Sequence, residues 1–209
     1  MARRILHIVT NVGHYDNGKP TGLWLSGLTT AWDRFEQRGF EQDIASPRGG
    51  DVPLDPRSLK FPFRNESAKS WLNNPERMAL LKSTLPIRSI DPNTYDAICL
   101  AGGHGAMFDF THNFELHNLI ASVYERGAIV ASVGHGYCGI LNVRLSDGSY
   151  LVNGKILTGP SWREEKLALV SRKVPFNAEE LAKERGAEYI RWRRPYRGSA
   201  AVTNGLVTG

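Results

Sequence analysis

The sequence predicts an α/β domain: a mostly parallel central sheet with helices on both faces. Three observations carry the prediction. The runs RILHIVT (4–10), YDAICL (95–100) and AIVASV (128–133) are almost continuously apolar and rich in β-branched residues, the pattern of strands buried on both faces. Segments with helical spacing separate these runs, as strand–helix–strand units require. Three loops, 11–22, 101–109 and 134–139, combine glycine with polar residues at the strands' carboxyl ends. Ligands of open parallel sheets sit at that edge.

Taken in order, residues 4–10 are the first strand, and NVGHYDNGKPTG is a loop by its Gly, Asn, Asp and Pro content. Apolar residues at 23, 24, 25, 28, 32 and 35 predict a helix over 23–37 that ends near Gly39. Residues 40–46 resume as a strand, and PRGGDVPLDP closes it with turn chemistry. A helical insertion is expected at about 56–90, with helices over 65–73 and 75–83. Strand 95–100 runs into AGGHG, a helix over 113–126 is capped by Gly127, and strand 128–133 runs into Gly134-His135-Gly136. A helix is expected over 137–142, a small hairpin around VNGK within 151–157, a helix over 178–185 and a strand over 188–191. Residues 200–207 are expected to close the chain as a strand pair turning at Asn204-Gly205.

With 209 residues, 41% of them apolar and 22% charged, the chain fits a single globular domain spanning 1–209. The net charge of +5 concentrates at Arg191, Arg193, Arg194 and Arg197, interleaved with Trp192 and Tyr196. No nucleic-acid module surrounds them, so they read as a solvated basic face over a sheet edge, and no nucleic-acid partner is expected. Two cysteines are too few for a disulfide framework. No apolar run approaches the roughly 18 residues of a membrane span, and the N-terminus lacks a signal-peptide pattern. A cytoplasmic protein with no membrane partner is the expectation.

Val133-Gly134-His135-Gly136 joins a buried strand to the next element with almost no loop. Such a turn forces its apex toward strained angles and exposes it above the sheet, the geometry of a nucleophile elbow. The apex is Gly134, which has no nucleophile. Cys138 lies four residues on and reads as core packing rather than a relocated nucleophile.

YDAICLAGGHGAMFDF, VASVGHGYCGILNV and LVNGKILTGPSWREE, extended by TGLWL and VPFNAEELAKERGAEY, resemble the ThiJ/PfpI superfamily. The likeness is to the branch of larger chaperone and glyoxalase III members. The resemblance covers nearly the whole chain and implies a flavodoxin-like three-layer sandwich related to the class I glutamine amidotransferases. It implies a catalytic cysteine at position 134, a histidine matching His135, and a supporting glutamate near position 27. Here the residues are Gly134 and Ser26-Gly27. It also implies a Gln-Asn-Pro segment and a terminal helix after Thr208-Gly209, whose loss would expose apolar surface for a homodimer to cover.

The expectation drawn from this paired absence is an enzyme that has lost glyoxalase III, deglycase and cysteine-peptidase chemistry. In its place, acid–base and oxyanion chemistry would act on a carbonyl-containing small molecule, in a lyase, isomerase or hydrolase reaction. His135 is the expected base, Glu164 or Glu165 its carboxylate partner, and His104 a further catalytic group. Gly103, Gly134, His14, Tyr15, Trp24 and Trp162 are expected to bind substrate, with backbone N–H groups of Gly103, His104 and His135 as oxyanion donors. His14, Asp16, His104 and His135 have ligand chemistry but no helical His-pair spacing, so no metal and no cofactor are expected. The alternative from another class is a non-catalytic ligand-binding or holdase-like stress protein.

Overall fold

The computed structural model describes residues 3–191 and 198–209. Residues 192–197, which hold most of the arginine and aromatic cluster, lie outside the described residues. The elements run β1 (Arg4–Ile8), α1 (Leu25–Glu36), β2 (Glu41–Ser46), α2 (Glu66–Leu72), α3 (Pro75–Leu80), β3 (Leu85–Pro86) and β4 (Ala97–Leu100). They continue as α4 (Ala106–Asp109), α5 (Phe114–Glu125), β5 (Ile129–Ser132), β6 (Ile156–Leu157), α6 (Trp162–Leu167), α7 (Ala178–Glu184), β7 (Glu188–Tyr189), β8 (Ala201–Thr203) and β9 (Leu206–Thr208). The main sheet has the order β3-β2-β1-β4-β5-β9-β8. Every pairing in it is parallel except β8 with β9. This is the expected flavodoxin-like α/β architecture.

The strand order reverses between β1 and β4. From β1 the chain moves outward to β2, and from β4 it moves the other way to β5. The loops leaving these two neighbours diverge and open a crevice at their carboxyl ends, the place where such sheets bind ligands.

Two buried clusters fix the layers. Leu6, Ile8, Ile98, Leu100 and Val130 pack with Leu116, Leu119, Ile120 and Val123 of α5. Val9 and Ile44 pack with Leu25, Leu28 and Trp32 of α1 and with Trp71 of α2. Each large side chain buried this way stabilises the fold by roughly 1.5–3 kcal/mol. Sequence-local caps set the helix starts: Asn65 accepts from the Ala68 N–H, Asn74 from Glu76 and Arg77, and Asn113 from Leu116.

Two expected elements differ. The helix over 137–142 is instead a 3-10 turn, Gly134–Gly139, that begins at the elbow itself. It is pressed onto β4: a side chain at Gly136 would run into the Leu100 carbonyl. The close approach fixes the tight winding that helical spacing alone did not indicate. The hairpin around VNGK does not form either. Residues 151–154 turn, and β6 pairs in parallel with β7 across α6 and α7. The Gly154 N–H donates to the Gly186 carbonyl oxygen, so this Asn-Gly turn docks on a distant loop rather than joining two adjacent strands. The closing pair forms as expected, with Asn204 and Gly205 both at positive φ. No helix among the described residues is long and apolar enough to cross a membrane.

Candidate functional site

β5 ends at Ser132 and the chain turns at Gly134, whose φ is 54°. A Cβ there would have only the Gly102 Cα within 4 Å, at 4.0 Å. A Cβ at Gly27, in the first turn of α1, would stand 3.6 Å from Val133 Cγ1 and 3.8 Å from the Gly102 nitrogen. Positions 27 and 134 therefore flank Gly102, and neither fills the space beside it. The loop after β4 is seated by Gly103 (φ 129°), where a side chain would strike the Gly22 carbonyl and come within 2.6 Å of the Trp24 nitrogen. The Trp24 N–H in turn donates to the Gly102 carbonyl at 2.9 Å. The GGHG loop is thus held against the entry to α1, and His104 is directed toward the elbow.

His104, His135 and Glu165 meet there. His135 Nε2 lies 2.7 Å from Glu165 Oε1, and His104 Nε2 lies 3.0 Å from Glu165 Oε2. The two imidazole centroids are 4.2 Å apart. All three residues are buried, at 6%, 9% and 5% exposure for His104, His135 and Glu165. Burial pushes the Glu165 carboxyl up, but the hydrogen bonds from both histidines more than reverse this and hold it below the usual carboxylate range. Burial, followed by the neighbouring His135, pushes His104 down to about 4. One ionised carboxylate thus accepts from two imidazoles.

The choice left open between Glu164 and Glu165 is resolved in geometric terms. Glu165 faces both histidines, while Glu164 closes a capping box with Ser161 at the start of α6. Tyr15 is buried with its ring 5.7 Å from that of His104. Trp24 lies edge-on to Phe63 and under the Arg57 guanidinium, 5.7 Å from its ring centroid. His14 is exposed in the first loop, where it bridges to Pro20, and Asp16 is exposed beside it. Trp162 is half-buried, and its backbone N–H donates to Glu179 Oε2. Cys138 is fully buried, with its thiol pushed up by burial.

Sequence reasoning missed Arg57, in the segment expected to be a helical insertion. Its Nη2 lies 2.7 Å from His104 Nδ1 and 2.9 Å from the Tyr15 hydroxyl. Asp55, itself fully buried, clamps the guanidinium at 3.0 Å (Nε) and 2.6 Å (Nη2). Thr21 donates to the same carboxylate at 3.1 Å. Only the Asp-x-Arg spacing in a proline-rich stretch hinted at this pair, and that spacing is common.

The donor atoms of His104, His135 and Glu165 all lie within 4.8 Å of one another, close enough for a metal ion. The donor set argues against a ligand role for His104. Arg57 can only donate, so His104 Nδ1 accepts and Nε2 carries the proton toward Glu165 instead of a lone pair. His14 and Asp16 do not belong to this group. A surface groove of about 540 Å³ lies elsewhere, between α1 and α2, lined by residues such as Thr30, Asp33, Asn65 and Ser67. It holds none of the histidines.

No family model matches the chain. Glyoxalase 3 of Candida albicans is 27% identical over 206 residues, 95% of this chain and 87% of that protein. The glutathione-independent glyoxalase HSP31 of Saccharomyces cerevisiae is 26% identical over 93% of this chain and 85% of its own. Among solved structures, the Rapid Encystment Protein of Francisella tularensis superposes with TM-score 0.91 at 28% identity, over 99% of this chain and 91% of that one. A second solved chain, 34% identical, superposes with TM-score 0.90 over all of this chain and 90% of its own. Glyoxalase III of Candida albicans superposes with TM-score 0.88 at 26% identity, over 99% and 90% of the two chains.

These relatives correct the functional expectation. It excluded glyoxalase III, yet three of these matches, each spanning 93% or more of this chain, are glyoxalases by name. The non-catalytic alternative fares no better, since those relatives are enzymes by name.

Proposed function

This chain belongs to the ThiJ/PfpI (DJ-1) superfamily, and from that premise we propose that it converts a 2-oxoaldehyde into the 2-hydroxy acid without glutathione and without a thiol nucleophile. The observation that carries the proposal is the hold of Glu165 on His135. Nε2 of the imidazole is bound to the carboxylate at 2.7 Å. Nδ1 has no partner among the described residues and is not fully enclosed, so it touches solvent. A base held by a carboxylate, with its second nitrogen open, is suited to moving a proton.

A 2-oxoaldehyde in water carries water across its aldehyde as a C1 diol. That diol takes the part a thiol adduct would otherwise play, and Gly134 and Gly27 leave room for it. His135 Nδ1 removes the C1 hydrogen as a proton, and the electron pair moves through the C1–C2 bond onto the C2 oxygen. The N–H groups of Gly103 and His104, which have no acceptor among the described residues, stabilise that oxyanion. A proton then passes from a C1 hydroxyl to the C2 oxygen. The proton on His135 Nδ1 meanwhile exchanges with solvent; the C1 oxygen pushes its pair back, C2 takes the exchanged proton from His135, and C1 becomes the carboxyl carbon. Atoms and electrons balance with water as the only co-substrate.

The test is turnover of methylglyoxal and phenylglyoxal in D2O without glutathione, followed by chiral analysis of the acid formed. The expected product is one enantiomer carrying deuterium at C2, and His135→Ala abolishes it. A wild-type protein that leaves both compounds unchanged overturns the proposal. So does product without deuterium, which shows that C2 received its hydrogen without passing through the solvent-open Nδ1 of His135.

A further inference from the structure

We infer that Arg57 is a positioning residue that fixes His104 as the neutral Nε2–H tautomer and so confines the site's movable proton to His135. The inference rests on the reading of His135 as the base. A guanidinium has five N–H donors and no acceptor. With Nη2 at 2.7 Å from His104 Nδ1, that nitrogen must present its lone pair. The ring proton then sits on Nε2 and is donated to Glu165 Oε2 at 3.0 Å. An imidazolium at His104 would set an N–H against the guanidinium, so this tautomer excludes the charged ring.

The consequence reaches His135. Glu165 has two oxygens and two imidazoles to serve. Were His104 free to charge, the carboxylate and His104 would form their own ion pair, and His104 would compete with His135 for the proton taken from substrate. With Arg57 in place, His104 contributes only a hydrogen-bond donor to the carboxylate, and Nδ1 of His135 is the group left to take the substrate's proton.

Arg57 is built to hold this position. The buried Asp55 takes its Nε and Nη2 together and also accepts the Arg57 backbone N–H at 2.9 Å. Tyr15 and Trp24 flank the guanidinium. A fork clamped on two edges loses little further freedom when it engages His104.

The experiment reads the tautomer directly. Imidazole ¹⁵N NMR of histidine-labelled protein follows His104, assigned with a His104→Gln variant, while kcat/KM for methylglyoxal is measured between about pH 5 and 9. Arg57→Ala alone would leave Asp55 buried without its partner, so the pair is removed together as Arg57→Ala/Asp55→Asn, with Arg57→Lys as the conservative variant. In the wild type His104 stays neutral and protonated at Nε2 across the range, and the rate profile shows one ionisation on its acid side. In the double variant His104 titrates within the range and a second acid-side ionisation appears. At pH 6 kcat/KM falls about fourfold, the loss set by the protonated share of an ordinary histidine at that pH, and the deficit closes as pH rises. Arg57→Lys restores most of the single-ionisation profile. A His104 that keeps its tautomer and neutrality in the double variant overturns the inference. Absence of wild-type turnover would instead sink the proposed reaction, while the NMR arm still decides the role of Arg57.

Discussion

Glu165 Oε1 stands 2.7 Å from Nε2 of His135, while its other oxygen accepts from His104 at 3.0 Å. A carboxylate suits this position because it accepts on both sides. Glutamine does not, since its NH2 would face an N–H donor from one of the rings. Glu165→Gln is therefore expected to lower kcat by 10²–10⁴, the usual range for an acid–base group, with KM nearly unchanged. Glu164→Gln is the control. It weakens the capping box with Ser161, costing about 1 kcal/mol or less, and leaves kcat intact. Steady-state kinetics and thermal melts of the two variants check the contrast; equal losses of kcat would overturn the assignment of Glu165.

The open space at Gly134 makes a second prediction. A Cβ at this position would find its nearest heavy atom, the Gly102 Cα, 4.0 Å away, so the Cβ of Gly134→Cys meets no clash. The cost is the positive φ of 54°, about 1–2 kcal/mol for a residue with a Cβ. The variant should fold, melt a few degrees lower, and react with iodoacetamide in the native state. The wild type should not react, because Cys99 and Cys138 are both buried and burial pushes both thiols up. Cys138→Ala should retain wild-type turnover. Rapid native labelling of wild-type protein would show that one of these thiols is reachable.

How much of this was legible before the fold was known varies by element. The strands were legible because burial on both faces demands continuous apolar runs, and 95–100 and 128–133 have no other plausible placement. His104 and His135 were legible because each follows such a run through glycine. Glu165 was distinguishable in principle: Ser161-x-x-Glu164 is a capping-box spacing, which assigns Glu164 to the helix start. Arg57 was not. It reaches His104 from the segment before α2, in a stretch with neither helical nor strand periodicity, and only tertiary folding puts it there. The 3-10 turn at Gly134–Gly139 was hidden for a similar reason, since its winding is set by contact with β4.

Stability should fall on mild acidification. His7 is buried, and desolvation lowers its pKa to about 4 despite the hydrogen bond to Gln42. His104 is likewise lowered to about 4. The unfolded chain takes up these protons near pH 6.5 and the folded one resists until about pH 4. Their contribution is complete above pH 6.5, declines through that window and levels off below it, by roughly 3 kcal/mol for His7 alone. Asp109 works in the opposite direction. Burial raises it to about 6, so the folded state accepts its proton first and gains stability as pH falls from about 6 to 4. Denaturant midpoints between about pH 7 and 4 should fall in the wild type, fall less in His7→Phe and fall more steeply in Asp109→Asn. A flat wild-type profile with unchanged slopes in both variants would overturn this reading.

The seat of the elbow on β4 gives the sharpest structural prediction. A Cβ at Gly136 would collide with the Leu100 carbonyl oxygen and come 2.7 Å from its carbonyl carbon. The obstacle is strand backbone, which cannot rotate aside. Leu100 is paired on both sides, with Ile8 and with Ser132, so moving it would disturb two ladders at the centre of the sheet. Gly136→Ala is expected to cost about 1–3 kcal/mol, the usual range for overpacking a core. It should also displace His135, one residue away, and so reduce turnover beyond the loss of folded protein. Gly148→Ala is the comparison. A side chain there meets nothing within 4 Å, although its φ of 80° carries backbone strain, so it should lose stability without losing specific activity. If activity per folded molecule were the same in both variants, the close approach at Gly136 would not be what holds the imidazole in place.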